Sequence, residues 1–166
     1  QGAVDFFTRN AVEGEKTIML DEGKFEEIVN IRNLSNLTVK GAGADTTEIQ
    51  SDNNNKWNPG IKDGCDSGLA DALKPGMDIP YVDGRNQGGG RAGVLIAGKE
   101  DKIRFEDVGM RCLYPTKTQA EVLCIRNKSD NATAFVRCRF YSQQDTLLPG
   151  GGYNWFYDCY VEGDTD

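Results

Sequence analysis

The sequence contains no histidine. That excludes Ser-His-Asp and Cys-His nucleophilic sites, histidine metal ligands and the side chain that most often moves protons near neutral pH. Acid–base chemistry in such a chain falls to carboxylates, lysine, tyrosine or cysteine. Positive charge is short too. Against 26 Asp and Glu stand 19 Lys and Arg, giving a formal charge of −7, and no basic stripe offsets it, which argues against a nucleic-acid partner. No apolar run reaches the length of a membrane span. The cysteines Cys65, Cys112, Cys124, Cys138 and Cys159 lack any CxxC spacing, so neither a zinc site nor a redox motif is expected. Buried free thiols acting as small apolar fillers are expected for most of them, with one disulfide as the alternative.

What is present is glycine, 20 of 166 residues, punctuating short apolar strands. Gln1 to Asn10 reads as a short helix with Val4 and Phe7 on one side. Strand-like stretches follow at Lys16–Leu20, through Ile28, Val29 and Ile31, and at Leu37–Val39, and later at Gly93–Ala97. Between them, residues 51–91 show no periodicity and are expected to form a long loop excursion. Gly88–Gly90 within it is no phosphate loop, since no Gly-Lys-Ser/Thr follows. The length fits one domain, and a chain that opens on Gln1 and stops at Asp166 inside a turn-like stretch is expected to be an incomplete one.

Four blocks resemble one another: Leu37–Gly41, Ile103–Asp107, Thr133–Cys138 and Asn154–Cys159. The last two align Cys138 on Cys159 at the same interval that separates Asp145 from Asp166. An apolar and a polar position sharing one interval is what stacked coils require. Coils of about 21–25 residues would bring Gln119, Gln144, Asp145 and Asp166 into a single vertical file, at about 4.8 Å per strand. An antiparallel sandwich also has many short strands at regular spacing and is the competing architecture.

Two carboxylates one strand apart do not ionise together easily, so one retains a proton. The ionised one can attack an acyl carbonyl while the other donates to the leaving oxygen and later activates water. Side-chain amides of Gln119 and Gln144 offer donors for the oxyanion. The bland reading makes both aspartates turn residues. Arg137 is a candidate for meeting a sugar carboxylate, against solvated surface charge. Tyr153 and Trp155 are candidates for a sugar groove, against core or turn packing.

Gln119-Ala120, Gln144-Asp145-Thr146-Leu147 and Cys159 to Asp166 resemble the active-site signatures of the pectin methylesterase family, and Gln1–Asp5 and Asp21–Val29 resemble its earlier segments. The long 51–91 excursion is similar to that of bacterial long-insertion members. The resemblance implies an all-β, right-handed parallel β-helix with a short N-terminal helix, and a metal-free, cofactor-free esterase. Its substrate would be methyl-esterified homogalacturonan, demethylated with release of methanol by a secreted or cell-envelope monomer. Carried over, Asp166 is the nucleophile, Asp145 the acid and then base, and Gln144 and Gln119 the oxyanion donors. Gln143 and Thr165 depart from the family's tyrosine and valine. The alternative is a non-pectinolytic relative of the same fold, thioesterase-like or carbohydrate-binding. A β-helix lyase or glycosidase would need a calcium-binding carboxylate cluster or a paired Asp-Asp signature, and the sequence shows neither.

Overall fold

The computed structural model describes residues 1–32, 34–54, 91–98, 101–115, 119–127 and 130–166. Among the described residues one helix, α1 (Gly2–Arg9), precedes fourteen strands that recur in threes. The first sheet is built from β1 (Lys16–Met19), β4 (Leu37–Lys40), β7 (Ile103–Glu106), β10 (Ala132–Val136) and β13 (Tyr153–Tyr157). The second takes β2 (Gly23–Glu26), β5 (Thr47–Ser51), β8 (Gly109–Cys112), β11 (Arg139–Tyr141) and β14 (Tyr160–Glu162). The third takes β3 (Val29–Arg32), β6 (Val94–Gly98), β9 (Leu123–Asn127) and β12 (Leu147–Gly150). Every pairing among the described residues is parallel, each strand bonding to its counterpart one rung away. The chain is therefore a right-handed parallel β-helix with a short N-terminal helix, and the sandwich alternative is overturned.

Register follows the apolar side chains. Val39, Phe105, Phe135 and Phe156 are level on successive rungs of the first sheet. Phe135 stacks between Phe105 and Phe156 at ring distances of 5.6 and 4.9 Å, and Phe140 meets its edge at 5.7 Å. Those offsets suit aromatic quadrupoles as well as burial. On the third sheet Ile31, Ile96 and Ile125 are level and fully buried. At the lower end α1 lays Val4 into the same core, with Phe7 against it. The Gln1 side chain ties α1 to the first rung, donating to the Asn30 carbonyl at 3.2 Å and accepting from its N–H at 2.6 Å.

Rung length departs from the expected 21–25 residues. Lys16 to Leu37 and Ala132 to Tyr153 are 21 residues each, but Ile103 to Thr133 is 30. The ladder constrains the strands alone, so the connections between sheets are free to vary. Several strands carry no sequence reading of their own, among them most of the second sheet, where β5 (TEIQS) is too polar to show a pattern. The expected excursion at 51–91 lies, apart from residues 51–54 and 91, outside the described residues, as do Cys65 and Gly88–Gly90.

The four described cysteines are free, as most were expected to be. Cys138 and Cys159 are level but unbonded, and the Cys138 thiol donates to the Phe105 and Val136 carbonyls. Burial pushes the Cys124 and Cys138 thiols up to about 12. At pH 8 only about one in ten thousand of either is thiolate, the reactive form. A maleimide or aromatic disulfide reagent should therefore modify these two only after denaturation, read by peptide mapping. Phe135→Ala should lower the unfolding free energy by about 3–5 kcal/mol, because it empties a site with rings on three sides. The measurement is the urea midpoint at unchanged slope.

Candidate active site

Each rung turns a corner between the second and third sheets, and both candidate aspartates sit there. The Asp145 N–H donates to the Thr165 carbonyl at 2.9 Å, the Thr165 N–H to Gln143 at 3.0 Å, and the Thr146 N–H to Asp166 at 3.2 Å. This parallel ladder sets Gln144 level with Thr165, and Asp145 level with Asp166 on the neighbouring rung. One rung below, the Ala120 N–H reaches the Gln144 carbonyl at 3.3 Å, which sets Gln119 level with Gln144. The Ser142 hydroxyl donates to the Ala120 carbonyl at 2.7 Å and locks the same two rungs.

Gly163 makes the close approach possible. A Cβ there would stand 2.4 Å from the Thr146 hydroxyl, which donates to the Glu162 carbonyl at 3.2 Å. Asp145 and Asp166 have φ of 56° and 59°, in the left-handed region that aspartate tolerates better than most residues. The corner thus supplies a conformational reason for aspartate at both positions.

The four candidates occupy two neighbouring files, not the single one expected: Gln119, Gln144 and Thr165 in one, Asp145 and Asp166 in the next. The unequal intervals explain it, since Gln144 and Asp145 are consecutive residues and cannot both be level with Asp166. All four nevertheless fall within one corner across three rungs.

The other candidates lie elsewhere. Arg137 sits at the corner between the first and second sheets, with φ of 52°, and forks onto Asp107 at 2.6 and 2.9 Å. Arg139, which begins β11, bonds Asp45 at 3.0 Å. Tyr153 and Trp155 point out from β13, 74% and 60% exposed, so neither packs in the core. They line a groove of about 450 Å³ on the first sheet together with Lys102 and Arg104.

Two residues at the acid corner carried no clear sequence signal. Arg91, just before β6, lies one register step below Ala120 and so in the file of Asp145. Its guanidinium Nε contacts both Glu121 oxygens at 2.8 and 2.7 Å, and Nη2 contacts Oε1 at 2.6 Å. The same Nη2 lies 3.8 Å from Asp145 Oδ2. The Glu121 side chain is 0% exposed, against 14% for Arg91 and 19% for Asp145. Burial pushes the Glu121 carboxyl up from its ordinary value, opposed by the bonds from Arg91. Only the charge in the otherwise apolar run Ala120–Ile125 hints at Glu121, and Arg91 borders a stretch without pattern. Among the described residues no group of three or more His, Cys, Asp or Glu is arranged to hold a metal.

No family model matches the chain. Probable pectinesterase 49 of Arabidopsis thaliana is 47% identical over 49 residues, 30% of this chain and 13% of that protein. Probable pectinesterase 56 of the same plant is 29% identical over 152 residues, 90% of this chain and 41% of that one. Pectin methylesterase PemA from Erwinia chrysanthemi superposes with a TM-score of 0.68 at 18% identity, over 96% of this chain and 44% of its own. The chain thus spans less than half the length of the relatives it matches. The chain is similar in part of its sequence to plant pectinesterases and in its fold to a pectin methylesterase.

Proposed function

We propose that the chain carries the reacting groups of a carbohydrate esterase that removes methyl esters from polygalacturonate. The observation that supports this best is the register that sets Asp145 level with Asp166 and Gln119 level with Gln144 at one corner. The names of the relatives point to the same substrate. In this reading the Asp166 carboxylate attacks the ester carbonyl and pushes its electrons onto oxygen. The Gln119 and Gln144 amides donate to that oxyanion. Collapse expels the methoxy group, which takes the proton from Asp145 and leaves as methanol, with an acyl anhydride on Asp166. Asp145, now a base, removes a proton from water as it attacks, and a galacturonate carboxyl and free Asp166 result.

The partner is methyl-esterified homogalacturonan outside the cell, met by a secreted monomer. The described residues include no helix long and apolar enough to cross a membrane.

Methanol release from methyl-esterified pectin by the full-length protein tests the reading. Asp166→Asn should abolish turnover, and Gln144→Ala should lower kcat by about 10²–10³-fold, the range for losing one oxyanion donor. Saponified pectin should yield nothing. Methanol release that survives Asp166→Asn would sink the nucleophile assignment. Pectin binding without methanol release would favour a non-pectinolytic relative.

A further inference from the structure

We propose that Glu121 and Arg91 form a neutralised pair that governs the proton on Asp145, Glu121 acting as the counter-ion that keeps the Arg91 charge off that carboxyl. Both are positioning residues, and the assignment rests on the esterase reading above for its purpose, though not for its geometry.

The geometry is asymmetric. Arg91 gives Glu121 three contacts of 2.6–2.8 Å and gives Asp145 one at 3.8 Å, beyond hydrogen-bond reach. An arginine aimed at a carboxyl in a half-buried corner favours its ionised form. A group that must donate a proton to a leaving methoxy oxygen is poorly served by that. Glu121 removes the conflict by holding the guanidinium in a fork, the geometry in which arginine binds a carboxylate most firmly. Asp145 then faces a salt bridge and not a free cation.

The charges on the rung above Asp145 are negative. Asp166 and Asp164 lie on the rung above, where the Asp164 N–H donates to the Gln143 carbonyl, and Glu162 ends β14 beside Thr146. On the second-sheet side the Cys112 thiol is pushed up chiefly by its own burial, with Asp52 and Glu121 adding to the rise. Arg126 and Cys124 are on the third-sheet side, with Cys124 feeling both Arg91 and Glu121. Arg91 is therefore the cation nearest Asp145 among the described residues, and what neutralises Arg91 decides how strongly it acts.

In Glu121→Gln the amide keeps the shape of the fork but not the charge, so Arg91 turns its whole charge on Asp145. The pH at which Asp145 releases its proton should fall by about one unit, a tenfold change in proton affinity. The double variant Arg91→Met/Glu121→Gln removes both charges and should return that pH to within a few tenths of the wild type. Carboxyl-carbon NMR titration of the full-length protein, with the Asp145 signal assigned through Asp145→Asn, reads the proton whether or not ester is cleaved. The alkaline limb of kcat/KM for methanol release should move in parallel. If the Asp145 signal shifts as described and no variant nor the wild type releases methanol, the esterase reading falls and the electrostatic assignment stands. If Glu121→Gln leaves the Asp145 titration and the alkaline limb where they were, a loss of stability alone would make the pair structural and overturn the proposal.

Discussion

The parallel register between one rung and the next is the constraint on which everything else depends. A strand's side chains alternate with period two, so a slip of one residue turns its core face outward. Here that slip would separate Phe135 from Phe156 and, through the same rung pair, Asp145 from Asp166. Core and corner obey one interval because they belong to one coil. The aromatic stack sets the rungs level in the core, and the corner's own backbone bonds carry that register to its polar residues. Stability and chemistry are set by the same hydrogen bonds.

Two corners with one backbone conformation show how the surroundings separate a structural aspartate from a candidate for chemistry. Asp107 and Asp158, like Asp145 and Asp166, take φ between 53° and 59°. At the first corner Asp107 receives the full fork of Arg137, which holds its carboxyl below the ordinary value. That pair is half open to water and is worth little. At the acid corner the arginine is forked onto a different, buried carboxylate and only approaches Asp145. The conformation suits aspartate at both corners, and at the acid corner the nearest arginine forks onto Glu121 and not onto Asp145.

The coil was legible because its apolar positions repeat. Leu37, Ile103, Thr133 and Asn154 were aligned from sequence similarity alone, and they are the residues the ladder sets level. Free thiols were legible for a related reason, since Cys138 and Cys159 fall at inward positions of the same block. Strand β5 was not legible, because in Thr47–Ser51 polar residues are buried, as with Thr47, whose hydroxyl donates to the Asp21 carbonyl of the neighbouring rung at 3.1 Å. The exact file of each corner residue was also hidden. It depends on where the chain adds residues between sheets, and connections carry no periodicity to count.

Least legible was the ion pair beneath the aspartates, and its energetics bear on what the corner is for. Burying a carboxylate with no exposed surface against one arginine seldom gains stability over apolar side chains of the same volume. Val122, Leu123 and Ile125 show that the neighbouring positions take apolar residues readily. Sequences that specify a fold tend to break their own local pattern where function requires it. Glu121 breaks the apolar run that leads into β9, at the step where its partner also approaches an aspartate. A purely structural role would be met as well by another apolar residue, so the fold alone does not account for the charge at Glu121.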